Sequence, residues 1–101
     1  MENLVVIDLG SNSVRMTISE IDGSGNHKTI EQVKRYVRLS ENMGEEQVLQ
    51  PESIARTLTP LGEFKKIYSQ LDKPAIQAVA PAAVRHARNQ KQFLKLVKDK
   101  I

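Results

Sequence analysis

Apolar residues open the chain in a pattern that predicts strands. Leu4–Ile7 is a continuous apolar, largely β-branched run, and after a polar interruption apolar residues partly alternate with polar ones over Val14–Ile21. This pattern predicts a strand, a tight turn and a second strand. Asp22–Asn26 is a strong turn signal, and β-favouring residues predict a third strand from His27 to about Leu39. Three strands joined by short turns predict an antiparallel meander.

The pattern changes to a helical period in the middle of the chain. After a polar loop at residues 40–50, apolar residues recur at the spacing of one helix face, behind a Pro51 suited to the first helical position. Pro60 interrupts this helix, since a proline costs about 3 kcal/mol in a helix interior. We expect either a kink at Pro60 or a second short helix that begins there behind a Thr59 cap. The apolar stripe consists of Ile54, Leu58, Leu61, Tyr68 and Leu71.

The last part of the chain predicts a strand followed by helices. The apolar segment Ala75–Ala80 predicts a strand, and a strand–helix–strand order implies a parallel pair through a right-handed crossover. The meander therefore becomes a mixed α/β sheet, with one face uncovered unless more chain follows. Pro81 suits the start of a helix directly after this strand, and Asn89 is expected to end that helix and cap the next. The final apolar stripe is Phe93, Leu94, Val97 and Ile101.

Composition fits one small globular domain. The 101 residues include 27% charged and 40% hydrophobic residues and no cysteine. No apolar run approaches the ~20 residues that span a bilayer, and the N-terminus shows no secretory signal. The absence of cysteine excludes disulfides and thiolate metal sites. A cytoplasmic location without membrane partners is the expectation.

The net charge of +3 is concentrated at the C-terminal end. Residues 84–101 carry six basic residues against one acidic residue, which fits a polyanionic partner. Lysines that solvate the outer face of an amphipathic helix give the same pattern, and we favour this interpretation for Lys91, Lys95 and Lys98. Nucleic acid is not the expected partner, because the segment has only Phe93 as a stacking aromatic.

Small polar residues and one acid lie between the first two strands. Gly10 allows a ligand to approach the main chain, and Ser11, Asn12 and Ser13 add short donors to a turn whose amides can bind an anion. Asp8 ends the first strand, where it can hold a hydrated divalent cation against that anion. An ordinary hairpin turn is the alternative, since these residue types are common in turns.

A second candidate anion site follows the last strand. A helix that starts at the carboxyl end of a parallel strand points free amides at that edge, and Arg85 lies within its first turns. Arginine adds a planar fork of donors that stays charged. A surface arginine on a basic helix is the alternative. We assign no role to His86, and we interpret Arg88 as a solvated neighbour.

Two stretches resemble signatures of one family. Asp8–Met16 closely resembles the first phosphate motif of the exopolyphosphatase and guanosine pentaphosphate phosphohydrolase family, in the superfamily of sugar kinases, actin and heat-shock chaperone ATPases. Residues 79–89 resemble the family's second signature. Pro81 replaces the usual hydroxyl residue there, which removes any hydroxyl contact at that position. The matching residues are Ala80, Arg85, Ala87 and Asn89.

The resemblance implies a fold and a set of site residues. Residues 1–101 are expected to form the N-terminal part of the first actin-like, ribonuclease-H-like domain of a larger enzyme with a two-domain phosphate cleft. Asp8 would help to hold Mg²⁺. Arg15, as a strand residue, can face the cleft or point away from it. The family's catalytic glutamate is expected beyond residue 101, so the chain itself holds no catalytic residue. The expected phosphate-binding residues are Gly10, Ser11, Asn12, Ser13, Arg15 and Arg85.

The reaction implied by the resemblance is magnesium-assisted hydrolysis of a terminal phosphoanhydride. Inorganic polyphosphate is the first expected substrate and guanosine pentaphosphate the second. The chain alone is expected to turn over poorly or not at all, and the larger enzyme is expected to be a homodimer. Two other classes remain open. One is a non-catalytic module that binds RNA or another polyanion, and the other is a kinase-like ATPase of the same superfamily, against which the Ser11-Asn12-Ser13-x-Arg15 order argues.

Overall fold

The computed structural model describes residues 2–80 and 82–101, which form a four-stranded sheet and three helices. The strand order is β3-β2-β1-β4, with antiparallel pairing of the first three strands and parallel pairing of β1 with β4. The meander and the parallel pairing of the last strand, both predicted from the sequence, are therefore confirmed, and the parallel partner of β4 is β1. The elements are β1 (Glu2–Leu9), β2 (Ser13–Ile21), β3 (His27–Tyr36), α1 (Pro51–Tyr68), β4 (Ala75–Val79), α2 (Ala82–Arg85) and α3 (Gln90–Lys100).

One face of the sheet forms the core with the helices. Ile7 lies opposite Met16 in the β1–β2 register, and both side chains are fully buried. Because side chains alternate across a strand, this register places every second residue of β1 and β2 against α1 and α3. Phe64 of α1 and Phe93 of α3 are also fully buried there. The other face, called the open face below, carries Asp8 and Arg15 among its exposed residues.

Helix α1 runs without interruption through Pro60, so the second helix considered at that position is absent from this described segment. The Thr59 hydroxyl caps nothing and donates to the Ala55 carbonyl one turn earlier, at 3.2 Å. The buried face also differs from the predicted apolar stripe, because Ile54 and Leu58 are only partly buried. Polar Thr57 is buried because its hydroxyl donates to a main-chain carbonyl within the helix. The buried face consists of Ser53, Thr57, Pro60, Leu61, Phe64 and Tyr68.

The third strand is shorter than predicted. It ends at Tyr36, and Val37 and Leu39 are buried in the following loop. Arg38 has a positive φ of 49°, which turns the chain out of the extended conformation. The amides of Val37 and Arg38 leave the ladder and bind the turn between β1 and β2. Burial of apolar residues therefore continues beyond the end of the strand.

The helix predicted from Pro81 towards Asn89 is wrong in length. Pro81 lies outside the described residues, and α2 covers only Ala82–Arg85. Ala87 is buried in the core and interrupts the helical path before α3 begins. Asn89 precedes α3 as expected, but its side chain makes no capping hydrogen bond. No helix in residues 2–80 and 82–101 has the length and apolar character needed to cross a bilayer.

Candidate phosphate-binding site

The parallel pairing of β1 with β4 brings the candidate residues to one end of the sheet, where the carboxyl ends of these two strands lie; this end is called the edge below. Asp8 lies in register with Val79, so both strands reach their carboxyl ends together. The Gly10–Ser13 turn follows β1 at this edge, and Arg85 follows β4 there. Ligands of open α/β sheets commonly bind beyond the carboxyl ends of parallel strands.

Gly10 is required by a close approach within the turn. Its amide donates to the Ser13 carbonyl at 2.8 Å, which closes the hairpin. A Cβ atom added at Gly10 would lie 2.7 Å from the same carbonyl oxygen. A side chain at this position therefore displaces the main chain and opens the turn.

The carbonyl groups of the turn are held by the loop after β3. The Asn12 carbonyl accepts from the amides of Val37 and Arg38, at 2.8 and 3.0 Å, and the Ser11 carbonyl accepts from the Ser40 amide at 3.2 Å. Within the described ranges, no acceptor is bonded to the amides of Ser11 or Asn12. With its carbonyls engaged and two amides available, the turn has the polarity of an anion-binding concavity.

Arg56 holds this loop from the side of α1. Its Nε donates to the Val37 carbonyl at 3.0 Å, and its Nη2 donates to the Arg38 carbonyl at 3.2 Å. The Glu41 carboxylate forms ion pairs with both Arg38, at 3.3 Å, and Arg56, at 3.4 Å. Arg56 therefore reaches the turn through the same two residues whose amides bind Asn12. The sequence alone does not predict this role, because a basic residue on an amphipathic helix carries no local signal for it.

Asp8 and Arg15 face each other across β1 and β2 on the open face. Their positions are in direct register, both side chains are exposed, and Arg15 is in register with Lys34 of β3 on its other side. Among the described residues neither Asp8 nor Arg15 forms an ion pair. A carboxylate and a guanidinium are thus available beside the turn. Asp8 is also the only carboxylate of this row, and no group of three metal-ligating side chains exists in the described part of the chain.

Arg85 is anchored at the end of β4. Its Nη1 donates to the Ala80 carbonyl at 2.6 Å, and the side chain is otherwise exposed. Because α2 is a single turn, the helix dipole anticipated from the sequence contributes little at this position. The arginine itself supplies the positive charge. His86 and Arg88 are exposed, and the amide of Arg88 donates to the Gln47 carbonyl at 3.0 Å.

Comparison with known proteins identifies the family. The model of the Ppx/GppA phosphatase family matches residues 17–101. The chain belongs to this family. A bifunctional 3-dehydroquinate synthase/phosphatase of Fusobacterium nucleatum is 31% identical over 99 residues, which cover 92% of this chain and 15% of that protein.

Solved structures of Ppx/GppA proteins have the same fold. An Aquifex aeolicus family member superimposes with a TM-score of 0.90 at 34% identity, covering 99% of this chain and 32% of the other. An exopolyphosphatase from Cytophaga hutchinsonii also gives a TM-score of 0.90, at 23% identity and with 32% of its length covered. The sheet and helices described above are thus those of the actin-like fold of these proteins. The chain spans 32% of the length of both.

The Ppx/GppA match has different consequences for the two sequence signatures. The family model begins at residue 17, so the Asp8–Met16 stretch rests on the likeness to solved structures and on its own geometry. The second signature lies within the matched range. Its described residues pack in the core or form hydrogen bonds that involve the main chain. Ala87 packs in the core, Ala80 accepts from Arg85, and Asn89 binds the main chain of Leu49.

Proposed function

We propose that this chain supplies the phosphate-binding part of a magnesium-dependent enzyme that hydrolyses the terminal phosphate of inorganic polyphosphate. The observation that carries the proposal is the Gly10–Ser13 turn. Its carbonyls are bonded to the β3–α1 loop, and the amides of Ser11 and Asn12 remain available at the edge that also presents Asp8. Membership of a phosphatase family supports phosphoryl chemistry at such a site.

Each residue of the edge has a distinct part in this proposal. The amides of Ser11 and Asn12, with the hydroxyls of Ser11 and Ser13, bind the terminal phosphate and fix its orientation. Arg15 and Arg85 neutralise negative charge on the phosphate chain from two sides. Positioning and charge neutralisation are the main contributions that a protein makes to phosphoryl transfer.

Asp8 fits the requirements of a magnesium ligand. Mg²⁺ keeps several waters and is usually held by one or two carboxylates together with substrate phosphates. Asp8 is exposed, is without an ion-pair partner among the described residues, and lies beside the turn. When bound, the ion would withdraw negative charge from the phosphate oxygens. With Asp8 assigned to the cation, the base that orients the attacking water is proposed to lie outside residues 1–101.

Guanosine pentaphosphate is the second candidate substrate. Tyr36 lies in register with Ser13 at the start of β2, and its side chain is 77% exposed. An exposed aromatic ring beside a phosphate site can stack on a nucleobase. Inorganic polyphosphate remains the first proposal because the turn and the arginines need only phosphate groups.

A chimera tests the proposal directly. This chain replaces the matched region of the Aquifex aeolicus relative, and phosphate release from long-chain polyphosphate is measured with Mg²⁺ beside the unmodified relative and this chain alone. We expect release by the chimera, loss of release in Asp8→Ala or Arg85→Ala, and full release in the control His86→Ala. Turnover by the 101-residue chain alone would place the base within it and contradict our assignment. A folded chimera that releases phosphate from neither substrate, beside an active relative, would refute the proposal.

A further inference from the structure

Arg15 and Lys34 are direct cross-strand partners on the open face of the sheet. Their positions pair in the antiparallel β2–β3 register, and both side chains are exposed. Side chains at such positions have Cβ atoms roughly 4.5–5.5 Å apart, and like charges there destabilise the sheet. Asp8, in register with Arg15 on the other side, offsets part of this repulsion, and when Asp8 holds a cation the pair is left with uncompensated positive charge.

Asp8 is the one acidic residue in register with this pair, opposite Arg15 on β1, and Lys34 has no acidic cross-strand partner in the described ranges. The ion pairs present there involve Arg35, Arg38 and Arg56, and none includes Arg15 or Lys34. Arg35, the neighbour of Lys34 on the opposite face, does have an acidic partner, Glu63 at 3.7 Å. An anion bound between Arg15 and Lys34 would remove the repulsion.

The ammonium group of Lys34 lies near Tyr36, the next residue on the open face of β3. Its Nζ lies 5.1 Å from the ring centroid of Tyr36, the residue two positions further along β3. Tyr36 lies in register with Ser13, so the ring holds the ammonium group at the turn end of the strand. A cation–π contact of this kind is favourable even at an exposed site, so it biases the lysine towards the end of the strand that pairs with Ser13.

We propose that Arg15 and Lys34 form a second phosphate subsite, which binds the units of a linear phosphate chain beyond the one held by the turn. This inference rests on the proposed function of the turn. Neighbouring strands lie about 4.8 Å apart, so the chain would cross from the end of β1 over β2 to β3. The subsite takes its ligand by charge alone, so it favours linear oligophosphates over orthophosphate whether or not a nucleoside is attached.

The competing explanation is that Lys34 protects an exposed strand edge. β3 is the outer strand of the sheet, and lysines on edge strands discourage pairing with other molecules. Lys28 separates the two explanations, because it is an exposed lysine of the same strand in register with Glu20, away from the turn. Edge protection requires both lysines for solubility, whereas the subsite requires only Lys34 for binding.

The test is an NMR titration of the ¹⁵N-labelled chain with orthophosphate, tripolyphosphate and guanosine pentaphosphate, each with Mg²⁺. We expect tripolyphosphate to bind more tightly than orthophosphate and to shift the amides of Ser11, Asn12, Arg15 and Lys34. Lys34→Gln should weaken tripolyphosphate binding roughly two- to five-fold, the usual range for an exposed charge pair, and leave orthophosphate unchanged. Lys34→Arg should retain binding, and Lys28→Gln should change neither ligand.

The outcomes separate this inference from the proposed function. Equal affinity of the wild type and Lys34→Gln for tripolyphosphate, with the turn amides still shifting, refutes the second subsite and leaves the turn intact as a phosphate site. Equal losses in Lys34→Gln and Lys28→Gln also refute it, because general attraction would then explain the binding. Failure of every phosphate compound to shift the turn amides overturns both proposals. Tyr36→Leu should weaken tripolyphosphate binding no more than Lys34→Gln does, because it removes only the contact that orients Lys34. A larger loss for guanosine pentaphosphate than for tripolyphosphate in Tyr36→Leu would assign the source of the phosphate chain as a nucleotide.

Discussion

The side-chain amide of Asn89 pairs with the main chain of Leu49 in both directions. The Leu49 amide donates to Asn89 Oδ1 at 2.9 Å, and Asn89 Nδ2 donates to the Leu49 carbonyl at 3.0 Å. Leu49 is almost fully buried, and the neighbouring Arg88 amide donates to the Gln47 carbonyl. The segment before α3 is thereby fastened to the loop that precedes α1. Asn89 thus connects two distant parts of the chain in place of capping a helix.

Replacing Asn89 should therefore destabilise the fold. In Asn89→Ala the amide and carbonyl of Leu49 lose their partners, and an unsatisfied buried polar group costs about 1–3 kcal/mol. We expect a loss of this size in the free energy of unfolding measured with urea. Gln92→Ala, an exposed change on α3, is the control and should stay within about 0.5 kcal/mol of the wild type. A similarly small effect of Asn89→Ala would show that the Leu49 contact is not significant.

Arg56 should position the phosphate-binding turn through the β3–α1 loop. Arg56→Lys keeps the charge but loses the fork that binds two carbonyls, and the Val37 and Arg38 amides are then free to move away from Asn12. We expect a loss of about 1 kcal/mol in stability, discounted for partial exposure, and roughly three-fold weaker orthophosphate binding at the turn.

Arg35 is the matched control for this effect. It forms a surface ion pair with Glu63 in which both side chains are half exposed, and such pairs contribute about 0–1 kcal/mol. Arg35→Lys should leave orthophosphate affinity unchanged. If Arg56→Lys lowers stability without altering the shifts of the Ser11 and Asn12 amides on phosphate addition, Arg56 supports the fold but does not position the turn.

Gly10→Ala should open the turn between β1 and β2. The new methyl group would lie 2.7 Å from the Ser13 carbonyl oxygen, a main-chain atom that the hairpin holds in place. We expect a destabilisation of about 1–3 kcal/mol, as for other overpacked sites, and loss of orthophosphate binding. Gly23→Ala is the control, because a Cβ there meets no atom within 4 Å. Orthophosphate binding that persists in Gly10→Ala would contradict the assignment of the turn.

Asp22 should make the β2–β3 hairpin weaker in acid. Its carboxylate accepts from the amides of Asn26 and Ser24, and these bonds lower the pKa of Asp22 below its ordinary value of 3.8. A folded pKa below the unfolded value stabilises the protein above the unfolded pKa, and this contribution is lost as the pH falls through the lower folded pKa. An NMR titration should show the low Asp22 midpoint, and Asp22→Asn should weaken the acid dependence of stability. A midpoint at or above 3.8 would contradict this account.

The sequence predicted the elements better than the contacts that hold the site together. The continuous apolar run Leu4–Ile7 predicts a strand, because strand-forming composition is a local property. Which face is buried is set by packing, and the structure buries Val5, Ile7 and Leu9. The role of Arg56 depends on carbonyls of a loop whose course no local pattern specifies, and the pairing of Asn89 joins residues 40 positions apart. The Asp8–Met16 and 79–89 signatures lie at the carboxyl ends of β1 and β4, and the parallel pairing of these two strands brings them close together.

Pro60 offers a case in which local and tertiary effects oppose each other. Pro60→Ala restores an amide donor inside α1 and removes a helix penalty of about 3 kcal/mol. The change also removes two buried ring carbons, at about 0.8 kcal/mol each, and relaxes the unfolded chain by about 0.4–1 kcal/mol. We expect a net stabilisation of roughly 0.5–1 kcal/mol in urea unfolding. Gly62→Ala, which has open space for its methyl group, should give a similar gain from propensity alone. If Gly62→Ala stabilises the chain but Pro60→Ala destabilises it, packing of the proline ring outweighs the hydrogen bond it removes.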